Sequence, residues 1–488
     1  MNYTPVIGLE VHAELSTVTK MFCGCVVVDA ARTKPNSVVC PVCLGLPGVL
    51  PLVNRKAVEL GLRAALALDC QPLPYSIFAR KNYFYPDLPK GYQISQYETP
   101  LAENGRLTIK TSAGEEVIRI RRVHLEEDTG KLTHVKKEGE SYTLVDLNRA
   151  GVPLLEIVTE PDMHNVEEAR TYAETLQQLL RYIDVSSCDM EKGAIRFEAN
   201  VSVMPEGASE LGTRTEIKNL NSFRSLEKAI DYEIHRQINL LESGGKVVQE
   251  TVGWNENEEI TFSQRSKEEA HDYRYFPEPD LPPIVVSNTW LDEIKGSMPE
   301  LPVHKKVRFS NEYHLSDYDI SVLTSNTQVA NFFEKLIEEG ITPKDGANWI
   351  NGQLFSEMNE RSLDWNHIPV TAAHLADLIR RVTNGELNLQ TAKTTFSDMV
   401  ETGKSSETII QEKGLKQISD TSMISRIIQT VLKENPEELR SYLAGKDTLV
   451  QWFFGQVMGK TRGQASPLIV KQELDRQLQA LKGGESSD

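Results

Sequence analysis

Seven ionisable side chains, Glu10, His12, Glu126, Glu127, Asp128, Glu156 and Glu198, lie in or beside apolar runs, where an unpaired charge is expensive to bury. Something positive must meet them. Hard oxygen donors gathered from several segments are what Mg²⁺ takes, with one or two carboxylates direct and phosphate oxygens or water completing the octahedron. Lys81, Lys90, Arg214 and Lys218 offer the alternative of structural ion pairs. A second chemistry is written in thiols. Cys23 and Cys25 form C-x-C, and Cys40 and Cys43 form C-P-V-C. Four thiolates close a tetrahedral zinc site with no position left for water or substrate, so the zinc expected here is structural; four buried reduced cysteines are the other reading. Cys70 and Cys188 have no partner at metal spacing and read as small buried hydrophobes.

The segment Phe78 to Gln96 sets Arg80, Lys81 and Lys90 among Tyr83, Phe84, Tyr85 and Tyr92, with turns at Pro86 and Pro89. Bases stack on rings while cations take phosphate, so this is a candidate loop for a nucleotide or an RNA end. Rings tucked into a core would be the plainer explanation. Neither G-x-x-x-x-G-K-[ST] nor G-x-G-x-x-G occurs, so any ATP is not held by a P-loop or a Rossmann turn. No nucleophile elbow is present either, which argues against covalent acyl transfer by this chain alone. Near the C-terminus, Gly455 to Gly463 reads as a mobile basic loop with Lys446, Lys460, Arg462, Lys471 and Arg476 around it. It suits contact with RNA phosphates, or it is a solvated connection between helices.

The elements that must position these groups are legible in their periods. Ile7, Leu9, Val11, Ala13 and Leu15 alternate with Glu10, His12 and Glu14, giving a strand with one apolar and one ionisable face. Ala194 to Val203 repeats the pattern with Arg196, Glu198 and Asn200 on the polar side, and a third strand ends at His124, Glu126 and Asp128. Val166, Ala169, Ala173, Leu176, Leu180 and Ile183 make a helical stripe, as do Leu226, Ile230, Ile234, Ile238 and Leu241. The four prolines of YRYFPEPDLPP predict a rigid extended crossing.

With 53 basic and 70 acidic residues among 488, the net charge is −17, so an RNA partner must meet a local basic surface. No apolar run approaches eighteen residues, which predicts a soluble cytoplasmic protein with no membrane association. The expected fold is α+β: a large mixed or antiparallel sheet forming a cradle over residues 1–292, a helical domain over 293–404, and a small helical tail over 407–482.

VIGLEVHAEL, CPVCLGLPGVLP, RKNYFYPDLPKGYQISQY, HLEEDTGK, VDLNRAGVPLLEIVTEPD, EIKNLNSF and DYRYFPEPDLPP together resemble the B-subunit family of the aspartyl/glutamyl-tRNA amidotransferases, nearly end to end. The resemblance implies a ligase that uses ATP to phosphorylate the side-chain carboxylate of Glu-tRNA(Gln) or Asp-tRNA(Asn), then amidates it with ammonia from an amidase-like A subunit, with a small C subunit completing the heterotrimer. It implies Mg²⁺ held by Glu10, Glu126 and Glu156, His12 beside them, and Glu127 and Asp128 as alternates. Lys81 would stand at the mouth of the ammonia route, and the tail with Lys446, Lys460, Arg462 and Lys471 would contact tRNA. Tyr83, Lys90, Glu198, Asn200, Arg214 and Lys218 are the expected nucleotide contacts. The four-cysteine cluster occurs in only part of that family, so zinc rests on spacing. Two rival readings are a tRNA-binding scaffold whose carboxylates are structural and a zinc hydrolase that needs no ATP.

Overall fold

Strand Tyr3–Glu14 buries Ile7, Leu9, Val11 and Ala13 and turns Glu10, His12 and Glu14 to the opposite face, as the two-residue period requires. It is the middle of a nine-stranded sheet. In spatial order the strands are Ile260–Ser266, Glu250–Asn255, Thr215–Leu220, Ile195–Pro205, Tyr3–Glu14, Pro153–Thr159, Gly114–Glu127, Ala102–Thr111 and Gln71–Pro72. All neighbours are antiparallel except Thr215–Leu220 with Glu250–Asn255. The sheet is therefore mixed and the fold α+β, in a computed structural model that describes residues 2–137, 139–266, 273–415, 421–461 and 465–484.

The apolar face is covered by helices. Helix Val166–Tyr182 starts at Asn165, whose side chain accepts from Glu168 N, and carries Glu167 and Glu168 in its first turn and Arg181 in its last, in keeping with the helix dipole. Its buried stripe of Ala169, Tyr172, Ala173, Leu176 and Leu180 joins that of helix Phe223–Glu242, with Leu226, Ala229 and Ile230, in one core with the strands. Helix Arg55–Ala67 presses Gly61 onto the sheet; a Cβ there would meet Leu101 and Leu125 at 2.7 and 3.0 Å. Helix Asn288–Ser297 packs on it, with Arg55 over Trp290 and Arg63 bonded to Ser297.

A smaller sheet closes one end of the ionisable face. Ala79–Asn82 pairs with Tyr92–Ser95 and with Phe276–Pro277, so the described part of the proline-rich segment is extended only over two residues, and turns at Arg274 and at Pro279 and Asp280 interrupt the expected rigid crossing. Arg80 clamps Glu278 through Nε and Nη2 at 2.7 and 2.8 Å, and Asn82 Nδ2 donates to the carbonyls of Tyr273 and Arg274.

The chain divides into two compact units, Met1–Pro302 and Val303–Asp488. Described elements of the second are all helical. Its apolar side chains form two clusters, one drawn from Phe309 to Ile410 and one from Ile424 to Leu478. Gly455 to Lys460 is not a loop but the end of helix Leu449–Lys460, because Phe453 and Val457, four apart, both bury into the second cluster and outweigh the helix cost of two glycines. None of the helices is long and apolar enough to cross a membrane, among the described residues.

Candidate active site

Cross-strand register assembles the ionisable face. His12 lies opposite Arg196 on one neighbouring strand and Glu156 on the other, and Glu156 lies opposite His124; residues directly opposite share a face. Across this row His12 Nε2 is 3.4 Å from both Glu126 Oε1 and Glu156 Oε2, and His124 Nε2 is 2.9 Å from Glu156 Oε2. One donor atom from each of His12, Glu126 and Glu156 falls within 4.8 Å of the others. Glu10, expected beside Glu126 and Glu156, is one step along the strand in a second group with Glu198 and Glu216. Asn200 Nδ2 donates to Glu10 at 3.0 Å, and Lys218 Nζ stands 3.4 Å from both Glu198 and Glu216.

The protonation of these groups follows from burial and neighbours. Burial, then the charges of Glu156, Glu198 and Glu216, pushes Glu10 up to about 7. Burial alone would lower His12, but Glu156, Glu126 and Glu198 raise it to about 9. Glu156 is held well below the usual carboxylate range because His124 and His12 outweigh its desolvation. Desolvation alone would lower half-buried Lys81 as well, yet Tyr275, Glu126, Tyr83 and Glu156 favour its charged form and raise its pKa.

Lys81 belongs to a wall of tyrosines. Its Nζ is 4.8 Å from the Tyr273 ring and 5.9 Å from that of Tyr83. Tyr83 meets Tyr273 edge-on, Tyr273 meets Tyr275 edge-on, and Tyr275 stacks on Tyr97 at 4.2 Å with planes 9° apart. The expected loop and the proline-rich segment thus form one surface. Tyr273, Tyr275, Tyr97, His124 and Glu216 escaped sequence reasoning as site residues. Their signals were the YRY tripeptide, an alternating His two before Glu126, and the E-x-K of Glu216 and Lys218.

HLEEDTGK sends its three acids to three destinations. Glu126 faces His12 and accepts from Ser95 Oγ at 3.3 Å. Glu127 points the other way, taking Ile94 N at 2.9 Å and Lys90 Nζ at 2.6 Å. Asp128 pairs with Arg196 and Arg149 at 3.1 and 3.3 Å. Lys90 and Glu127 are therefore tied to each other, and Arg214 is exposed in the loop before Thr215–Leu220.

Cys23, Cys25, Cys40 and Cys43 offer four sulfurs within 4.8 Å of one another, none in a disulfide. The Cys40 and Cys43 sulfurs are 3.9 Å apart, close to the roughly 3.8 Å that two ligands of tetrahedral zinc require. Hydrogen bonding from Cys23 outweighs burial and holds the Cys43 thiol down to about 4. Cys70 and Cys188 are buried singly. In the second unit Lys446 and Lys471 are exposed, Lys460 pairs with Glu434, and Arg462 lies outside the described residues.

Residues 5–292 match the GatB/GatE catalytic domain family, and residues 331–478 match the GatB domain family. A curated relative from Thermodesulfovibrio yellowstonii is 51% identical over 97% of this chain and 98% of its own. Relatives from a Thermoanaerobacter species and from Persephonella marina are 50% and 49% identical over 98% of this chain and all of theirs. All three are named as the B subunit of the aspartyl/glutamyl-tRNA(Asn/Gln) amidotransferase. Near half identity over almost the whole length, with the catalytic-domain match covering the sheet and its ionisable face, establishes that the chain belongs to the family of these amidotransferase B subunits.

Proposed function

We propose that this chain phosphorylates and then amidates the side-chain carboxylate of a misacylated tRNA, Glu-tRNA(Gln) or Asp-tRNA(Asn). The carboxylate oxygen attacks the terminal phosphorus of ATP, ADP leaves, and ammonia displaces phosphate to leave the amide. The observation that carries this reading is the convergence of His12, Glu126 and Glu156 from three adjacent strands beside Lys81 and the tyrosine wall. Two carboxylates and an imidazole within 4.8 Å fit a divalent ion, and Glu10 stands next in line. Magnesium bound there would neutralise charge on the transferring phosphoryl group.

This chain's own residues have separate tasks. Glu126 and Glu156 supply the hard oxygen donors, and His124 keeps Glu156 ionised. Tyr83, Glu198, Asn200 and Lys218 border the nucleotide, with Lys218 offsetting the acids beside it. Lys81 stands where ammonia enters, its charge directed at the acyl phosphate. Glu127, Asp128, Lys90 and Arg214 stay outside this set: the first three are committed to partners, and Arg214 lies in an exposed loop.

Ammonia comes from an amidase-like A subunit, and a small C subunit completes a cytoplasmic heterotrimer. Cys23, Cys25, Cys40 and Cys43 would hold a zinc ion whose role would be structural, because four thiolates leave no place for water or substrate. The helical unit comprises a domain and a tRNA-binding tail, a division supported by its two separate apolar clusters. Lys446, Lys460, Arg462 and Lys471 would serve that tail.

The test is Glu126→Gln in the reconstituted complex, assayed on both misacylated tRNAs with and without ATP. The wild type should amidate only with ATP. The variant should lose product by at least about a hundredfold while tRNA affinity stays within about twofold; undiminished product would leave this chain a scaffold.

A further inference from the structure

Strand Gly114–Glu127 carries three arginines near its middle, and two of them display what the Nε–Nη2 edge of a guanidinium is for. Arg119 donates through it to Asp162 at 2.8 and 2.6 Å, and Arg121 to Glu160 at 3.0 and 2.7 Å. Arg122 does not follow them. It is opposite Val158, whose other neighbour is Glu10, and so lies on the ionisable face two residues before His124. No ion pair among the described residues holds it, and its Nε is buried without a hydrogen-bond partner. A buried charged donor left bare is costly, so its retention on the face that carries the candidate chemistry calls for an acceptor from outside the chain.

The rest of the side chain is anchored. Its guanidinium carbon lies 5.5 Å from the centre of the Tyr97 ring, and Tyr97 is stacked on Tyr275. Tyr275 feels the charges of Lys81, Glu126, Glu156 and Arg122 together, so the wall of tyrosines has a cation at either end. A guanidinium over an aromatic face keeps its edge donors free. An edge so placed matches a carboxylate or phosphate by two parallel hydrogen bonds.

We propose that Arg122 binds an oxyanion of the substrates, with Tyr97 and Tyr275 positioning its plane. This rests on the function proposed above, which supplies two such anions: the side-chain carboxylate of the aminoacyl-tRNA and the terminal phosphate of ATP. Arg122→Gln and Arg122→Lys, each in the reconstituted complex, separate them by the KM for misacylated tRNA, the KM for ATP and the affinity for deacylated tRNA. Glutaminase activity and the melting temperature report intact folding.

Arg122→Gln should raise one KM about tenfold or more, and Arg122→Lys should recover only part of the loss, because an ammonium has no fork. A rise confined to misacylated tRNA, with deacylated tRNA bound as before, assigns the carboxylate; a rise confined to ATP assigns the phosphate. Both constants within about twofold of wild type in Arg122→Gln, or full recovery by Arg122→Lys, would overturn the assignment. If the wild-type complex amidates without ATP, the underlying function fails instead, so the two failures are told apart.

Discussion

Glu14 follows His12 by two residues on the same ionisable edge, and its environment makes a pH prediction. Burial first and Asp128 second raise it to about 7, against the pull of Arg196 and Arg149. An acid whose folded pKa exceeds its unfolded value of 4.5 keeps a proton in the native state that the unfolded chain has released. Its contribution to stability is therefore greatest below about pH 4.5 and is lost as pH rises to about 7. Glu14→Gln removes the cost. Urea unfolding should find the variant more stable than wild type at pH 8, by at most about 3 kcal/mol, and nearly equal to it at pH 4; a difference independent of pH would refute the assignment. The same scale shows where spacing stops informing. Three consecutive acids at 126–128 look equivalent in a string, and only neighbours from distant segments send Glu126 to His12, Glu127 to Lys90 and Asp128 to two arginines.

Among the elements, the cysteine knuckle binds distant pieces together. Lys20 is wholly buried beside it, its Nζ bonded to the carbonyls of Val38 and Leu147 at 3.1 and 3.3 Å. Helix Arg55–Ala67 follows in the chain and starts at Asn54, which caps Lys56 N and Ala57 N and donates back to Thr19, next to Lys20. A metal in this knuckle would brace the start of that helix against the sheet. Cys43→Ser should therefore lower zinc, measured by mass spectrometry of the purified chain, from about one per molecule to none. The first unfolding transition should fall in the same variant. An unaltered metal content would remove zinc from the account. The knuckle's four sulfurs were visible in their spacing, whereas Lys20 was not, since one of the carbonyls that hold it, Leu147, is more than a hundred residues away.

At the level of the whole molecule, the helical unit offers a cut that the residue numbers alone would misplace. A boundary at 404 would strip Ile409 and Ile410 from the first helical cluster, to which both belong; truncation after Leu415 spares them and removes the second cluster entire. This truncation should weaken tRNA binding about tenfold at low salt, with the gap narrowing as salt rises, if exposed cations such as Lys446 and Lys471 meet phosphates as proposed. Glutamine hydrolysis should be untouched. Filter binding across a salt series measures it, and unchanged affinity would deny the tail that role. The overall charge of −17 says nothing of this local surface.

Alternation, helical stripes and cysteine spacing are local properties, and they were enough to read the α+β class, the ionisable faces of three strands, the covering helices and the four sulfurs. They failed at Gly455–Lys460, where burial of Phe453 and Val457 overrides the glycines. Register, by contrast, is a relation between segments. It decides that His12 meets Glu156 and Glu126 while Glu10 joins Glu198 and Glu216, since which residues stand opposite one another depends on pairing that no single strand encodes. Arg122 is the sharpest instance: beside Arg121 in the chain it looks like one more surface cation, yet Arg121 is paired with Glu160 while pairing opposite Val158 leaves the Arg122 Nε buried and bare.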